Sequence, residues 1–224
     1  MVTRGIGSWL GTAICLVCSA CASQAPPPAP PTWDGLELVE RAGLDSVYVR
    51  PGASLAQYRR VMLRHAEVSF DQNWAPGEYL AKTDDSLDRM KIAEEVQEAF
   101  QEITTEELAK GSYTLVSSPD TDVLRVVPSI TDLYVGNRGG DMIMDIGHMT
   151  LVVELRDSLT NTSLARVIDE VGGDEAATLG ISQGISNSAA AERVITKWAV
   201  ALRSALDRAR AEAAAAPDPR RSDR

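Results

Sequence analysis

The chain has 224 residues, of which 44% are hydrophobic and 24% are charged, and its formal net charge is −10. This balance is typical of a globular protein with enough apolar side chains for one core. The basic residues form no stripe in the body of the chain, and the net charge is negative, so we expect no nucleic-acid partner. The same charge argues against attachment to an anionic membrane through a basic surface.

The N-terminal segment combines a basic residue, a short apolar stretch and a cysteine. The stretch after Arg4 has about a dozen residues, which is typical of a secretory signal peptide and too short for a membrane-spanning helix. Small residues, Ser19 and Ala20, precede Cys21, as in a bacterial lipobox, although Cys18 stands where Leu is usual. We therefore predict that residues 1–20 are a signal peptide and that Cys21 becomes the lipidated first residue of the mature chain.

Lipidation of Cys21 would determine where the protein is held. Two or more acyl chains bind a membrane stably, whereas one chain binds only marginally. Ala22 and Ser23 follow the cysteine, and no Asp occupies the second position. We therefore expect an outer-membrane location with the domain facing the periplasm. A metal site is the alternative, because Cys15, Cys18 and Cys21 repeat a CxxC spacing, but no histidine or acidic residue lies near them.

Two segments outside the domain differ from it in composition. Residues 21–32 include the run PPPAPP, which favours an extended polyproline II conformation and predicts a stiff tether. Residues 214–224 lack large apolar side chains, so we predict a disordered tail. The remaining residues, 33–213, are predicted to form one domain.

The periodicity of apolar residues predicts seven elements in this domain. A strand over 59–70 precedes a helix over 84–110, in which Met90, Val96 and Phe100 belong to the predicted buried stripe. In a later strand, Met149, Leu151, Val153 and Leu155 alternate with polar residues. The full set is strand 59–70, helix 84–110, strands 113–117, 122–135, 148–156 and 164–171, and helix 188–213. The order β-α-β-β-β-β-α predicts an α+β fold, with a largely antiparallel sheet and both helices on one face.

One of the predicted strands contains a proline. Pro128 lacks a backbone N–H and predicts an edge position or a bulge in the strand over 122–135.

Three segments, DVLRVVPSITDLYV, VELRDSLTNTSLARVIDE and KWAVALRSALDRAR, together resemble a bacterial family of lipoproteins of unknown function, the domain of unknown function 3313 family. The resemblance implies one domain and a lipoprotein location, but no activity and no catalytic residue. Asn161 stands where that family usually has Gly in a turn, and it tolerates positive φ next best, so Asp157 and Ser158 are predicted to form a turn.

Residues that could carry catalysis or bind a metal are sparse. Ser182 lies in a G-x-S-x-G sequence, but both histidines, His65 and His148, precede it, in contrast to the order in α/β-hydrolases. Two histidines do not make a zinc site unaided, and each is interpreted as a sheet-face residue. The acidic groups Asp84, Asp85 and Asp88, Asp120 and Asp122, and Asp141 and Asp145 lack the spacing of a calcium loop. We expect no cofactor, no metal and no enzyme activity.

The sequence favours a non-enzymatic module of the cell envelope that works through protein contact. A methionine-rich loop could supply a contact surface, through Met142, Ile143, Met144 and Ile146. Its partners would be the membrane, through the anchor on Cys21, and an envelope protein that the sequence does not identify. One alternative is a carrier that binds a lipid or small molecule between sheet and helices. Another is a hydrolase that uses Ser182.

Overall fold

The structure is a computed structural model that describes residues 29–40, 43–74, 85–137, 144–172 and 187–215. Its strands are β1 (Thr32–Trp33), β2 (Leu36–Val39), β3 (Ser46–Val49), β4 (Arg60–Leu63), β5 (Glu67–Phe70), β6 (Thr114–Leu115), β7 (Val123–Asn137), β8 (Met144–Asp157) and β9 (Ser163–Gly172). Its helices are α1 (Asp85–Lys110) and α2 (Asn187–Ala215).

All nine strands belong to one sheet in the order β1-β2-β3-β9-β8-β7-β4-β6, and β5 also pairs with β7. The pairs from β1 to β7 are antiparallel, whereas β4 and β5 run parallel to β7 and β6 runs parallel to β4. The predicted α+β fold and the four strands between the helices are confirmed. The N-terminal part differs, because β1, β2 and β3 were not predicted and the single strand over 59–70 is two strands.

Pro128 lies where the strand beside β7 is interrupted, and not at an edge of the sheet. The carbonyl of Val126 accepts a hydrogen bond from the N–H of Arg64 at 2.9 Å, just after β4 ends. Backbone groups two residues apart point to the same side of a strand, so the nitrogen of Pro128 faces the gap between β4 and β5. A proline in that position costs no hydrogen bond of the ladder. The irregularity in the pairing of β7 with β8 lies further along, at Thr131 to Tyr134.

The core lies between one face of the sheet and the two helices, which also contact each other. On β8 the predicted alternation is confirmed, with Met149, Leu151, Val153 and Leu155 all buried. On α2, Ile195, Trp198 and Leu206 are buried, and their spacing in the sequence, three and then eight residues, is the one that indicates a single buried side of a helix.

The predicted buried stripe of α1 is partly wrong. Val96 and Phe100 are buried, but Met90 is 59% exposed and Ile92 is buried in its place. Two residues correspond to about 200° around a helix, so Met90 and Ile92 lie on opposite sides of it. The buried stripe therefore follows Ile92, Val96, Phe100 and Leu108.

The turn between β8 and β9 forms as the sequence predicts. Asp157 accepts hydrogen bonds from the N–H groups of Leu159 and Thr160 at 3.1 and 2.8 Å. The hydroxyl of Ser158 donates to the carbonyl of Asp120 at 2.9 Å. Asn161 has φ 59, the left-handed conformation expected there. In this structure Asp157 and Ser158 hold the turn in place.

We expect Asp157→Ala to lower the free energy of unfolding by about 1–3 kcal/mol, because it leaves the N–H groups of the turn without their acceptor. The backbone hydrogen bond from Thr160 is the largest cause that holds the pKa of Asp157 below its usual value, and the hydroxyl of Tyr58 contributes as well. A carboxyl with a lowered pKa in the folded state stabilises the protein above its unfolded pKa and loses that effect as the pH falls. The difference in the free energy of unfolding between the parent and Asp157→Ala should therefore become smaller as the pH falls below about 4.

Denaturant unfolding at a series of pH values measures this effect. Asp157→Asn is the matched control, because it keeps the size and one acceptor oxygen but cannot titrate. We expect it to lose less stability than Asp157→Ala at neutral pH. A deficit for Asp157→Ala that grows in acid would contradict the assignment.

Candidate functional site

The side of the sheet opposite the helices carries a cluster of charged groups. The strand registers place these side chains on the same side of the sheet, which we call the open face: Trp33, Leu38, Tyr48, Arg125, Glu154, Arg156 and Arg166. The neighbouring residues of β8, Val153 and Leu155, point to the core instead. The open face is therefore a direct result of the two-residue period of the strands.

Glu154 is the centre of the charged cluster. It forms salt bridges with Arg166 on β9 and with Arg156 two residues further along its own strand. Arg166 also lies 3.6 Å from the carboxylate of Asp34, in the turn between β1 and β2. Burial raises the pKa of Glu154, but the hydrogen bonds from Arg166 and Arg156 together lower it by more. Its pKa therefore lies below the usual range. Glu154 is therefore charged at neutral pH.

Arg125 extends the cluster to β7. Its guanidinium donates to the side-chain oxygen of Asn161 at 3.0 Å and to the carbonyl of Ser158 at 2.9 Å. Arg156 in turn donates to the carbonyl of Asn161 at 3.0 Å. The turn that Asn161 shapes therefore positions two arginines side by side. We call Arg125, Arg156 and Arg166 the arginine strip.

An aromatic pair lies at the β1–β3 end of the arginine strip. The guanidinium of Arg166 lies over the ring of Trp33, 4.5 Å from its centroid, and Trp33 meets Tyr48 edge to face at 5.8 Å. Tyr48 is fully buried, and its hydroxyl has no hydrogen-bond partner among the described residues. Trp33 and Leu38 are 40% and 39% exposed. Apolar and cationic surfaces therefore adjoin on the open face.

The folded chain brings together three arginines that the sequence separates. The three arginines lie on three strands, so they are far apart in the sequence but adjacent in the sheet. Two carboxylates, those of Glu154 and of the largely exposed Asp34, form ion pairs with Arg166. Three arginines and these two carboxylates leave one positive charge in excess, on a protein whose net charge is −10.

The two histidines lie apart from the open-face cluster. His148 is on β8, where its ring stacks on Tyr134 with centroids 5.2 Å apart and its Nε2 lies 3.4 Å from Asp71. His65 lies in the break between β4 and β5, so its placement on a strand was wrong. Within the described ranges, no three histidine, cysteine or acidic side chains are placed to hold a metal ion.

The acidic pair Asp120 and Asp122 has a structural role. Both carboxylates bind Arg60 at the start of β4, with a distance of 2.8 Å from Asp120. The hydrogen bonds from Arg60 hold the pKa of both carboxyls below the usual range. The pair therefore fastens the loop before β7 to β4.

Several residues singled out in the sequence lie outside the described residues. These are Cys15, Cys18, Cys21, Asp84, Asp141, Met142, Ile143 and Ser182, and the side chains of Asp85, Asp88, Met144, Asp145 and Ile146. Their assigned roles stay predictions. Neither helix of the described part is long and apolar enough to cross a membrane.

The family model described as "Protein of unknown function (DUF3313)" matches residues 33–202. The chain therefore belongs to this family, as the sequence resemblance indicated. No curated protein sequence matches the chain.

The chain is similar to two solved structures. The PelC dodecamer from Paraburkholderia phytofirmans is 12% identical, with a TM-score of 0.41, and the match covers 72% of this chain and 96% of that chain. Protein XCC0632 from Xanthomonas campestris, of the DUF330 family, is also 12% identical, with a TM-score of 0.35, and the match covers 74% of this chain and 93% of that chain.

Proposed function

We propose that the protein is a non-enzymatic lipoprotein of the bacterial outer membrane and that its open face binds an acidic segment of another envelope protein. The arginine strip beside the exposed Trp33 is the observation that carries this proposal. The lipobox at Cys21 and the proline-rich tether support the location, since together they anchor the domain and hold it away from the membrane.

The chemistry of the arginine strip favours an acidic partner. A guanidinium presents its N–H groups in a planar fork that matches a carboxylate, and such charge-assisted hydrogen bonds are stronger than neutral ones. Glu154 and Asn161 hold the arginines in place, so little side-chain freedom is lost on binding. The negative net charge of the whole chain would repel an acidic partner elsewhere, which confines binding to this face.

The exposed aromatic and aliphatic groups supply the apolar part of the contact. Trp and Arg are enriched among the residues that dominate binding energies at protein interfaces. Trp33 lies against Arg166, and Leu38 is two strands away from Arg166, across Tyr48, so one partner segment could contact all three. The open face thus combines an apolar contact with a site for carboxylates.

Site-specific crosslinking in the native host tests the proposal. A photo-crosslinking amino acid replaces Leu38 on the open face, and a second variant carries it at Met90, an exposed position on α1. We expect Leu38 to capture a protein segment rich in Asp and Glu, identified by mass spectrometry, and Met90 not to capture it. Equal capture at both positions, or a captured segment that is not acidic, would contradict the proposal.

We expect Trp33→Ala to weaken the captured complex by about thirtyfold, because residues of this kind contribute about 2 kcal/mol or more at an interface. Titration of the purified chain with the captured segment measures the change. Met90→Ala is the matched control, since it removes an exposed apolar side chain from the opposite layer. If both variants bind equally well, Trp33 is not part of the contact.

A further inference from the structure

An apolar cavity of 220 Å³ lies between the sheet and α2, on the side opposite the open face. Leu151, Val153 and Val167 form its floor, and Trp198, Ala201 and Leu202 of α2 form its roof. Protein interiors contain few voids larger than a water molecule. An engineered apolar cavity of about 150 Å³ stays dry and binds benzene. The cavity in this protein is larger than that and is lined by the same kinds of side chain.

Two polar side chains lie at the rim of this apolar space. Ser204 and Arg208 are four residues apart on α2, so they lie on the same side of the helix. Arg208 is exposed, and among the described residues it forms no ion pair. The cavity therefore has one cationic group at the rim and apolar walls behind it.

We propose that this cavity binds the hydrocarbon chain of a single-chain carboxylic acid of the fatty-acid type, with its carboxylate at Arg208. The charge of Arg208 and the hydroxyl of Ser204 complement a carboxylate, and the walls contribute about 0.8 kcal/mol for each methylene that leaves water. The binding does not rest on the proposed function, because it uses the opposite face of the sheet and α2.

The limited volume gives the binding a chain-length dependence that can be measured. Calorimetric titration uses the full-length chain with Cys21→Ser, so that no attached acyl group competes, and the series hexanoate, octanoate, decanoate, laurate and palmitate. We expect affinity to rise about fourfold for each methylene until the cavity is full and then to level off. Affinity that does not change with chain length, or no binding of any member, would overturn the proposal.

Filling the cavity tests the location of the site. Ala205 lines the cavity on α2, and Ala205→Leu places three extra carbons in that space. We expect at least tenfold weaker binding of decanoate, whereas Ala211→Leu, at an exposed position of the same helix, should bind as the parent does. Ala201→Leu serves as a second filling variant if Ala205→Leu does not fold. Unchanged affinity in the folded filling variant would overturn the assignment.

Changing the rim tests the ligand's charge. Arg208→Gln should weaken decanoate about two- to fivefold, because an ion pair at an exposed position is lost, while decanol should bind both forms equally. Arg208→Lys should restore part of the affinity. Tighter or equal binding of decanoate to Arg208→Gln would show that Arg208 does not hold the carboxylate. Equal binding of lysophosphatidylglycerol and decanoate to the parent chain would overturn the assignment of a carboxylate head group.

Discussion

We expect Asp169→Ala to lower the free energy of unfolding by about 3–5 kcal/mol, the usual cost of breaking a buried ion pair by removing one partner. Asp169 is 1% exposed on β9, and its carboxylate accepts hydrogen bonds from Trp198 Nε1 at 2.5 Å and Lys197 Nζ at 3.0 Å. It also accepts the N–H of Asp45 at 3.2 Å. One side chain therefore links the sheet, α2 and the loop before β3. The side chain of Lys197 is 26% exposed, so its ammonium can regain water and the loss should lie near the lower value.

Denaturant unfolding at neutral pH measures this loss, and two variants separate its causes. Asp169→Asn keeps the size and one acceptor oxygen, so it should lose less than Asp169→Ala. Lys197→Met removes the ammonium and leaves Asp169 bonded to Trp198 and to the backbone. If the free energy of unfolding of Asp169→Ala lies within about 1 kcal/mol of the parent's, the loss is no larger than that of one ordinary hydrogen bond. The linking role of Asp169 would then be wrong.

The features that the sequence predicts well depend on short stretches of chain. The alternation of β8 and the stripe of α2 are visible within single elements, because one face of each is buried. The turn at Asn161 is equally local, since its conformation requires a residue that tolerates positive φ. Such patterns hold whatever the rest of the chain does.

The strands that sequence reasoning missed are short and depend on distant partners. β2 and β3 have four residues each, and β3 exists by pairing with β9 far along the chain, as in the pair Val47 and Val167. No residue of β3 signals that register by itself. The break between β4 and β5 is also a tertiary effect, because both strands align on the continuous β7.

The candidate site was missed for the same physical reason. Arg125, Arg156 and Arg166 become neighbours only when β7, β8 and β9 pair. The sequence does contain part of the signal, since Glu154 and Arg156 occupy alternate positions opposite the buried Val153 and Leu155. Charged residues at every second position indicate a polar face, but they do not show which charges of other strands will join it.

Cys21→Ser should move the full-length chain almost completely from the membrane fraction to the soluble fraction. The acyl chains predicted on Cys21 are the proposed anchor, and the net charge of −10 argues against attachment to an anionic membrane through a basic surface. Serine has no thiol to receive a diacylglyceryl group, so the acyl chains that we propose as the anchor would not be attached. Fractionation of the native host followed by immunodetection measures the change.

Cys15→Ser and Cys18→Ser are the matched controls, since both residues lie in the segment that cleavage is expected to remove. Both variants should stay in the membrane fraction, and mass spectrometry of the mature chain should find the acyl groups on Cys21. A Cys21→Ser chain that remains membrane-bound after a high-salt wash would show that the anchor lies elsewhere. A released Cys21→Ser chain that still crosslinks its acidic partner through Leu38 would show that the anchor sets the location, while the open face provides the recognition.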